Sequence, residues 1–149
     1  MTKRVLFLCT GNSARSQMAE ALVRHLSKGE LDAFSAGTDP VPVKPLSVQV
    51  MSEIGIDISR QRSKGLEAFA GEAFDFIITV CARAQEKCPR WPGQVTYIHW
   101  AIDDPAAVEG EEERRRRAFR IARDELRQRI GLFLVANKLV TGDTSRETK

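Results

Sequence analysis

The sequence predicts an α/β fold, a small parallel sheet with helices on both faces. Three observations predict it. Short apolar runs at 5–8 and 74–80 (VLFL and FDFIITV) are too short for helices and read as buried strands. Amphipathic helical stripes alternate with the strand-like runs, and a β-α-β-α order implies a parallel sheet. The chain has 149 residues, 42% hydrophobic and 29% charged, which suits one globular domain. A domain of this size buries roughly 68–70% of its unfolded surface and needs no staple.

The elements follow in order. Val5–Leu8 is the first strand, bounded by Thr10-Gly11-Asn12. From Arg15 to Leu26, Met18, Ala19, Leu22, Val23 and Leu26 form a helical stripe that Gly29 stops. Ala33–Ser35 reads as a second strand, leading into a loop with Gly37, Pro40, Pro42 and Pro45. Leu46–Ile54 reads as a helix ended by Gly55, and Leu66–Ala70 as a short helix. Phe74–Val80 is β-branched and aromatic, a third buried strand. Ala82–Lys87 is a short helix or loop closed by Cys88-Pro89, and Val95–His99 a fourth strand. A long helix spans 111–139, with Phe119, Ala122, Leu126, Ile130 and Phe133 on one face. Its start, EEERRRR at 111–117, places Glu before Arg at i,i+4 (Glu111–Arg115, Glu112–Arg116, Glu113–Arg117), a solvated helix start. The domain is expected over 1–140, with a polar, frayed tail at 141–149.

Composition narrows the function classes. No apolar run approaches the ~20 residues of a membrane span, so no membrane partner is expected. The N-terminus moves from Lys3-Arg4 directly into a strand, with no signal-peptide pattern. A net charge of +3 asks for no nucleic acid. Three cysteines are an odd set, which points to a reducing compartment, the cytoplasm, rather than to a disulfide scaffold.

In parallel sheets ligands sit beyond the carboxyl ends of the strands. Cys9, Cys81 and the segment 100–104 directly follow predicted strands, so three segments meet at one edge. The loop Cys9-Thr10-Gly11-Asn12-Ser13-Ala14-Arg15-Ser16 joins a buried strand to a helix N-terminus, where free N–H groups form an anion site. Gly11 lets backbone approach the anion, Asn12 tolerates positive φ, and Arg15 can grip two oxygens of a tetrahedral oxyanion. Cys9 sits at the base of that ring, where a positive field favours the nucleophilic thiolate. Ser16 can donate a hydrogen bond to it. The nucleotide-binding pattern G-x-x-x-x-G-K-[ST] is absent.

LCTGNSARSQMAEAL resembles the active-site loop of the low-molecular-weight tyrosine phosphatase superfamily. More closely, it is similar to the thioredoxin-coupled arsenate reductases built on that fold. The resemblance runs from Val5 to about Leu139 and implies a flavodoxin-like three-layer sandwich with a four-stranded parallel sheet. Ala14 stands where related reductases often carry a further, non-essential cysteine.

Cys81 and Cys88 are separated by six residues and match no zinc knuckle, and no metal or organic cofactor is expected. On a continuous helix, positions seven apart lie roughly 10 Å apart. A disulfide needs Cα atoms within about 7 Å, so the helix must distort if these two bond. From spacing alone they remain either a redox pair or unrelated cysteines. The resemblance implies the redox pair, because TVCxxAxEKCPxxPG is similar to the redox segment of the reductases. It also implies Asp104, in HWAIDDPA, as general acid, with Asp103 its local competitor.

The implied reaction is arsenate reduction. Cys9 attacks arsenic, Cys81 then Cys88 carry the disulfide outward, and thioredoxin reduces it; phosphate or sulfate can occupy the same loop. The resemblance implies a monomer. Glu20 and Ser35 match part of a potassium site in some relatives, but Arg62 and Lys64 stand where oxygen ligands belong, and the Lys64 ammonium can replace the cation. His25, His99, Trp91 and Trp100 are expected to pack or face solvent. The rivals are a phosphatase and a non-enzymatic oxyanion sensor. Against the first, Ala106 follows Asp104-Pro105 where phosphotyrosine phosphatases of this family carry an aromatic.

Overall fold

Four parallel strands pair in the order β2-β1-β3-β4: β1 (Lys3–Cys9), β2 (Leu31–Gly37), β3 (Phe76–Thr79) and β4 (Thr96–His99). In the computed structural model, which describes residues 2–139, Val5 pairs with Ala33 on one side and Phe76 on the other. The predicted tail at 141–149 lies outside the described residues. Between the strands run α1 (Arg15–Ser27), α2 (Pro45–Ser52), α3 (Ala82–Lys87) and α4 (Glu112–Ala136).

β1 and β2 are longer than the predicted strands. Ladder pairing continues through polar rim residues such as Lys3 and Asp32, which apolar patterning does not register. The helix expected at 66–70 is a 3-10 turn over Leu66–Phe69. α2 begins at Pro45, whose missing N–H is harmless in the first turn, and ends two residues before Ile54. α4 stops at Ala136, where Lys138 adopts a left-handed conformation (φ 57°) and the Leu139 N–H caps the Leu134 carbonyl.

Side chains alternate across β1, and this alternation makes two unequal cores. Val5 and Phe7 face Met18 and Leu22 of α1, Val50 of α2, and Leu126 and Ile130 of α4. Each such fully buried side chain contributes about 1.5–3 kcal/mol. Leu6 and Leu8 face a thinner layer built from Phe69, Phe74, Trp91 and Ala84 of α3. That layer is held by edge-on aromatic pairs (Phe34–Phe69 at 5.7 Å, Phe69–Phe74 at 5.9 Å) and by the Arg4 guanidinium over Phe34 and Phe74.

The charged start of α4 keeps one of the three expected i,i+4 pairs, Glu112–Arg116, and rearranges the rest. Arg116 pairs with Glu112 and Glu113, and Arg120 with Glu113 and Glu53. Neither Glu111–Arg115 nor Glu113–Arg117 is among the ion pairs of the described residues. The arginines that face α2 are drawn to Glu53, and Glu113 follows them. Hydrogen bonds from Arg120 and Arg123 pull the Glu53 carboxyl from 4.5 down to about 2. A depressed carboxylate stabilises the fold above its unfolded pKa and loses that contribution as pH falls through the folded value. Glu53→Gln should therefore lower the melting temperature at pH 7 by about 2–4 °C, a modest shift because the network is solvent-screened. In thermal melts across pH, that difference should shrink below pH 4.5 and vanish near pH 2.

Candidate active site

The loop 9–14 is built so that its carbonyls point outward. The segment after β2 continues parallel to it and donates to it: Thr38 N to Cys9 O at 3.1 Å, Asp39 N to Thr10 O at 2.8 Å, Val41 N to Gly11 O at 3.0 Å and Lys44 N to Ser13 O at 2.9 Å. The Asn12 carbonyl accepts from Gln17 Nε2 at 3.0 Å and Ser63 Oγ at 2.7 Å. With the carbonyls of residues 9–13 bonded on the outer side, and that of Ala14 taken by Met18 N in the first turn of α1, the loop N–H groups are left to face inward. They join the N-terminus of α1, which has no side-chain cap and no acid in its first turn. Such a nest of N–H groups selects an anion. Gly37 makes the close approach possible: a Cβ there would lie 2.6 Å from Thr10 O and 2.8 Å from Asn12 N.

Asn12 takes the left-handed conformation expected of it, with φ 49°. Its side chain sets the direction of hydrogen bonds at the nucleophile. Asn12 Oδ1 accepts from Lys64 N at 2.8 Å and Gln17 Nε2 at 2.9 Å, so its Nδ2 must donate, and it does so to Ser16 Oγ at 2.7 Å. The Ser16 hydroxyl, which accepts that bond, lies 2.8 Å from Cys9 Sγ with its own hydrogen free to turn to the sulfur. Asn12 N adds a second donor to the sulfur at 3.2 Å. Both contacts reach the sulfur from the loop that carries it.

Arg15 is buried, and Ile102 O holds its guanidinium at 3.0 Å. Its other end lies 3.7 Å from Asp104 Oδ2. Asp104 also accepts from Ala106 N at 3.0 Å, which fixes the carboxylate at the mouth. A 320 Å3 cavity brings together Cys9, Ser13, Arg15, Lys44, Asp104 and Ala106. Asp103 is not among its lining residues. The cavity brings a thiol, a guanidinium and a carboxylate to one opening, the functional groups that displacement at a tetrahedral oxyanion calls for.

Cys81 and Cys88 bracket α3. Cys81 is its N-cap, accepting from Ala84 N at 3.4 Å, and Cys88 follows its last turn. Cys81 Sγ lies 3.2 Å from the hydroxyl of Thr10, which places this thiol at the rim of the loop. All three cysteines are free. A six-residue helix is marginal by itself, so unwinding it costs little. The exposed Arg83–Asp39 pair at 3.3 Å ties it to the segment that supports the loop.

Among the described residues no cluster of three or more His, Cys, Asp or Glu is placed to hold a metal. Glu20 and Ser35 do meet (2.5 Å), but the direct counter-charge is Arg24, at 2.6 Å from the Glu20 carboxylate. Lys64 sits nearby with Nζ on Arg62 O at 2.7 Å. Burial pushes its ammonium down and the Glu20 charge pulls it up.

Residues 4–141 match the family described as low molecular weight phosphotyrosine protein phosphatase. The chain belongs to that family. An arsenate reductase of Shouchella clausii (strain KSM-K16) is 43% identical over 134 residues, 89% of this chain and 96% of the relative. A solved arsenate reductase in its phosphate-binding state superposes with a TM-score of 0.78 at 31% identity, covering 91% of this chain and 98% of that one. A thioredoxin-dependent arsenate reductase of Corynebacterium glutamicum has a TM-score of 0.62 at 30% identity, covering 88% of this chain and 63% of that one. The four-stranded parallel sheet and helical layers are those of this low molecular weight phosphatase family.

Sequence reasoning missed Gln17, Ser63, Gly37 and the bracing role of 38–44. Gln17 is fully buried between Asn12, Arg62 O and Gln61, and it fixes the amide that orients Ser16. Gln17→Ala should slow iodoacetamide alkylation of Cys9 at pH 7 about tenfold and cost about 1–3 kcal/mol in denaturant unfolding. An unchanged alkylation rate would separate Gln17 from the nucleophile.

Proposed function

We propose that the chain is an arsenate reductase in which Cys9, Cys81 and Cys88 carry the electrons and thioredoxin restores the thiols. The observation that carries this reading is the position of Cys81, whose sulfur meets Thr10 at the rim of the nucleophile's loop, at one end of a short helix with Cys88 at the other. A hydrolase of this family needs the first cysteine alone; a two-electron reduction needs a partner thiol.

Arsenate enters the nest of loop amides and Arg15 holds two of its oxygens. The Cys9 thiolate attacks arsenic, and Asp104 passes a proton to the oxygen that leaves as water. Cys81 then attacks Cys9 sulfur as thiolate; its electron pair forms the Cys9–Cys81 disulfide, and the pair of the breaking Cys9–arsenic bond stays on arsenic, which leaves as arsenite. Cys88 attacks Cys81 and frees Cys9 as thiolate. α3 unwinds in this step, because its ends are too far apart for a disulfide while it is helical. Thioredoxin reduces the Cys81–Cys88 disulfide. Phosphate and sulfate share the tetrahedral geometry and compete for the loop. The protein acts as a monomer in the cytoplasm, a compartment that keeps its thiols reduced between turnovers.

The family's hydrolase chemistry favours weak phosphoester hydrolysis as a side activity. Ala106 leaves the mouth without an aromatic surface for a phosphotyrosine ring. With thioredoxin, thioredoxin reductase and NADPH, arsenate should drive NADPH oxidation in the wild type. Cys81→Ser and Cys88→Ser should lower it at least a hundredfold while retaining phosphoester hydrolysis within about threefold. A wild type that oxidises no NADPH with arsenate, or variants that keep full turnover, would sink the reading.

A further inference from the structure

A second cavity, of 240 Å3, lies on the thin face of the sheet between α3 and the edge strand β4. Thr79, Gln85, Cys88, Arg90, Tyr97 and His99 line it, and none of them lines the anion site. Its titratable or charged groups are Cys88, Arg90, Tyr97 and His99. Arg90 is stacked over the Tyr97 ring at 4.9 Å, which leaves the His99 imidazole as the cavity's nitrogen base.

Thr79 and His99 are register partners on β3 and β4, so their side chains share a face. Thr79 Oγ1 lies 2.8 Å from His99 Nδ1. The hydroxyl hydrogen of Thr79 has the Ile98 carbonyl as acceptor at 3.5 Å. When Thr79 gives its hydrogen to that carbonyl, it accepts from Nδ1–H, and in this tautomer Nε2 keeps its lone pair. The thiol across the cavity needs such a partner. Burial pushes Cys88 above the ordinary cysteine range, and Arg90 only partly offsets it. Its thiolate fraction at neutral pH is then below the few per cent of an ordinary cysteine, while disulfide exchange requires the thiolate.

We propose that His99 is the general base that deprotonates Cys88 for the last exchange of the relay, across the cavity the two side chains share. This rests on the relay described above. The Cys88 proton passes to His99 Nε2, directly or through one water, for which the cavity has room. The Cys88 sulfur then bonds to Cys81 as the Cys9–Cys81 bond breaks, and Cys9 leaves as thiolate. The exchange is redox-neutral, and the imidazolium returns its proton to solvent.

The test is a single turnover of reduced full-length protein with arsenate and no reductant, quenched by alkylation and mapped by mass spectrometry at pH 7 and pH 9. Wild type should pass quickly to the Cys81–Cys88 disulfide at both. His99→Asn and His99→Gln should form Cys9–Cys81 at the wild-type rate, which also shows that they are folded. They should then stall there at pH 7, about a hundredfold slower in the second exchange, and gain rate steeply at pH 9, where hydroxide raises the thiolate fraction without a base. Variants that complete the exchange at the wild-type rate at pH 7 overturn the proposal. So do variants slowed equally at both pH values or slowed in the first step, since those effects are structural. A wild type that forms neither disulfide overturns the relay, and this proposal with it.

Discussion

The active site depends on where the carbonyls of residues 9–13 go. A loop of six residues carries as many acceptors as donors, and its charge character is decided by which set faces inward. Here the segment 38–44 and the side chains of Gln17, Ser47 and Ser63 take up the carbonyls from outside. The amides are left to the anion. The bracing segment suits this role because its donors alternate with prolines: Asp39, Val41 and Lys44 donate, while Pro40 and Pro42 have no N–H and stiffen the run. Gly37 then matters as a place where two backbones touch, and no larger residue fits without displacing the loop.

The two faces of the sheet divide the labour. The anion loop springs from β1 and α1, which are packed into the thicker core with α2 and α4. A site that must hold an oxyanion in fixed geometry gains from that rigidity. The relay segment lies over the thinner face, where α3 has six residues and one buried side chain, Ala84. Local stability follows the number of buried contacts, so α3 is the element best able to unwind without disturbing the nucleophile. The Thr10–Cys81 contact is where the rigid and soft parts meet.

Much of this was legible in the sequence. Apolar runs located β1 and β3, stripes located α1 and α4, and the strand-loop-helix order around Cys9 is the order the structure has. Less legible was everything set by pairing across the chain. The edges of β1 and β2 are polar, so their length depends on ladder partners rather than on local pattern. The segment 38–45 reads as an ordinary proline-rich loop, because nothing local says that its N–H groups meet residues 9–13. Gln17 looks like one more polar residue on a helix, and its burial against Asn12 follows only from the loop's return past Arg62 and Lys64. Asp104 and Asp103 cannot be told apart by neighbourhood alone; the turn at Pro105 sends one carboxylate to the cavity. His99 reads in the sequence as a structural or surface residue, and its pairing with Thr79 depends on the register of β3 and β4.

The central claim is that the protein's own thiols supply both electrons. It is tested most directly by stoichiometry: fully reduced protein is incubated with excess arsenate and no reductant, and arsenite and remaining free thiols are counted under denaturing conditions. The account predicts one arsenite per chain, with one of the three thiols, Cys9, still free. No arsenite, with all three thiols intact, would contradict it.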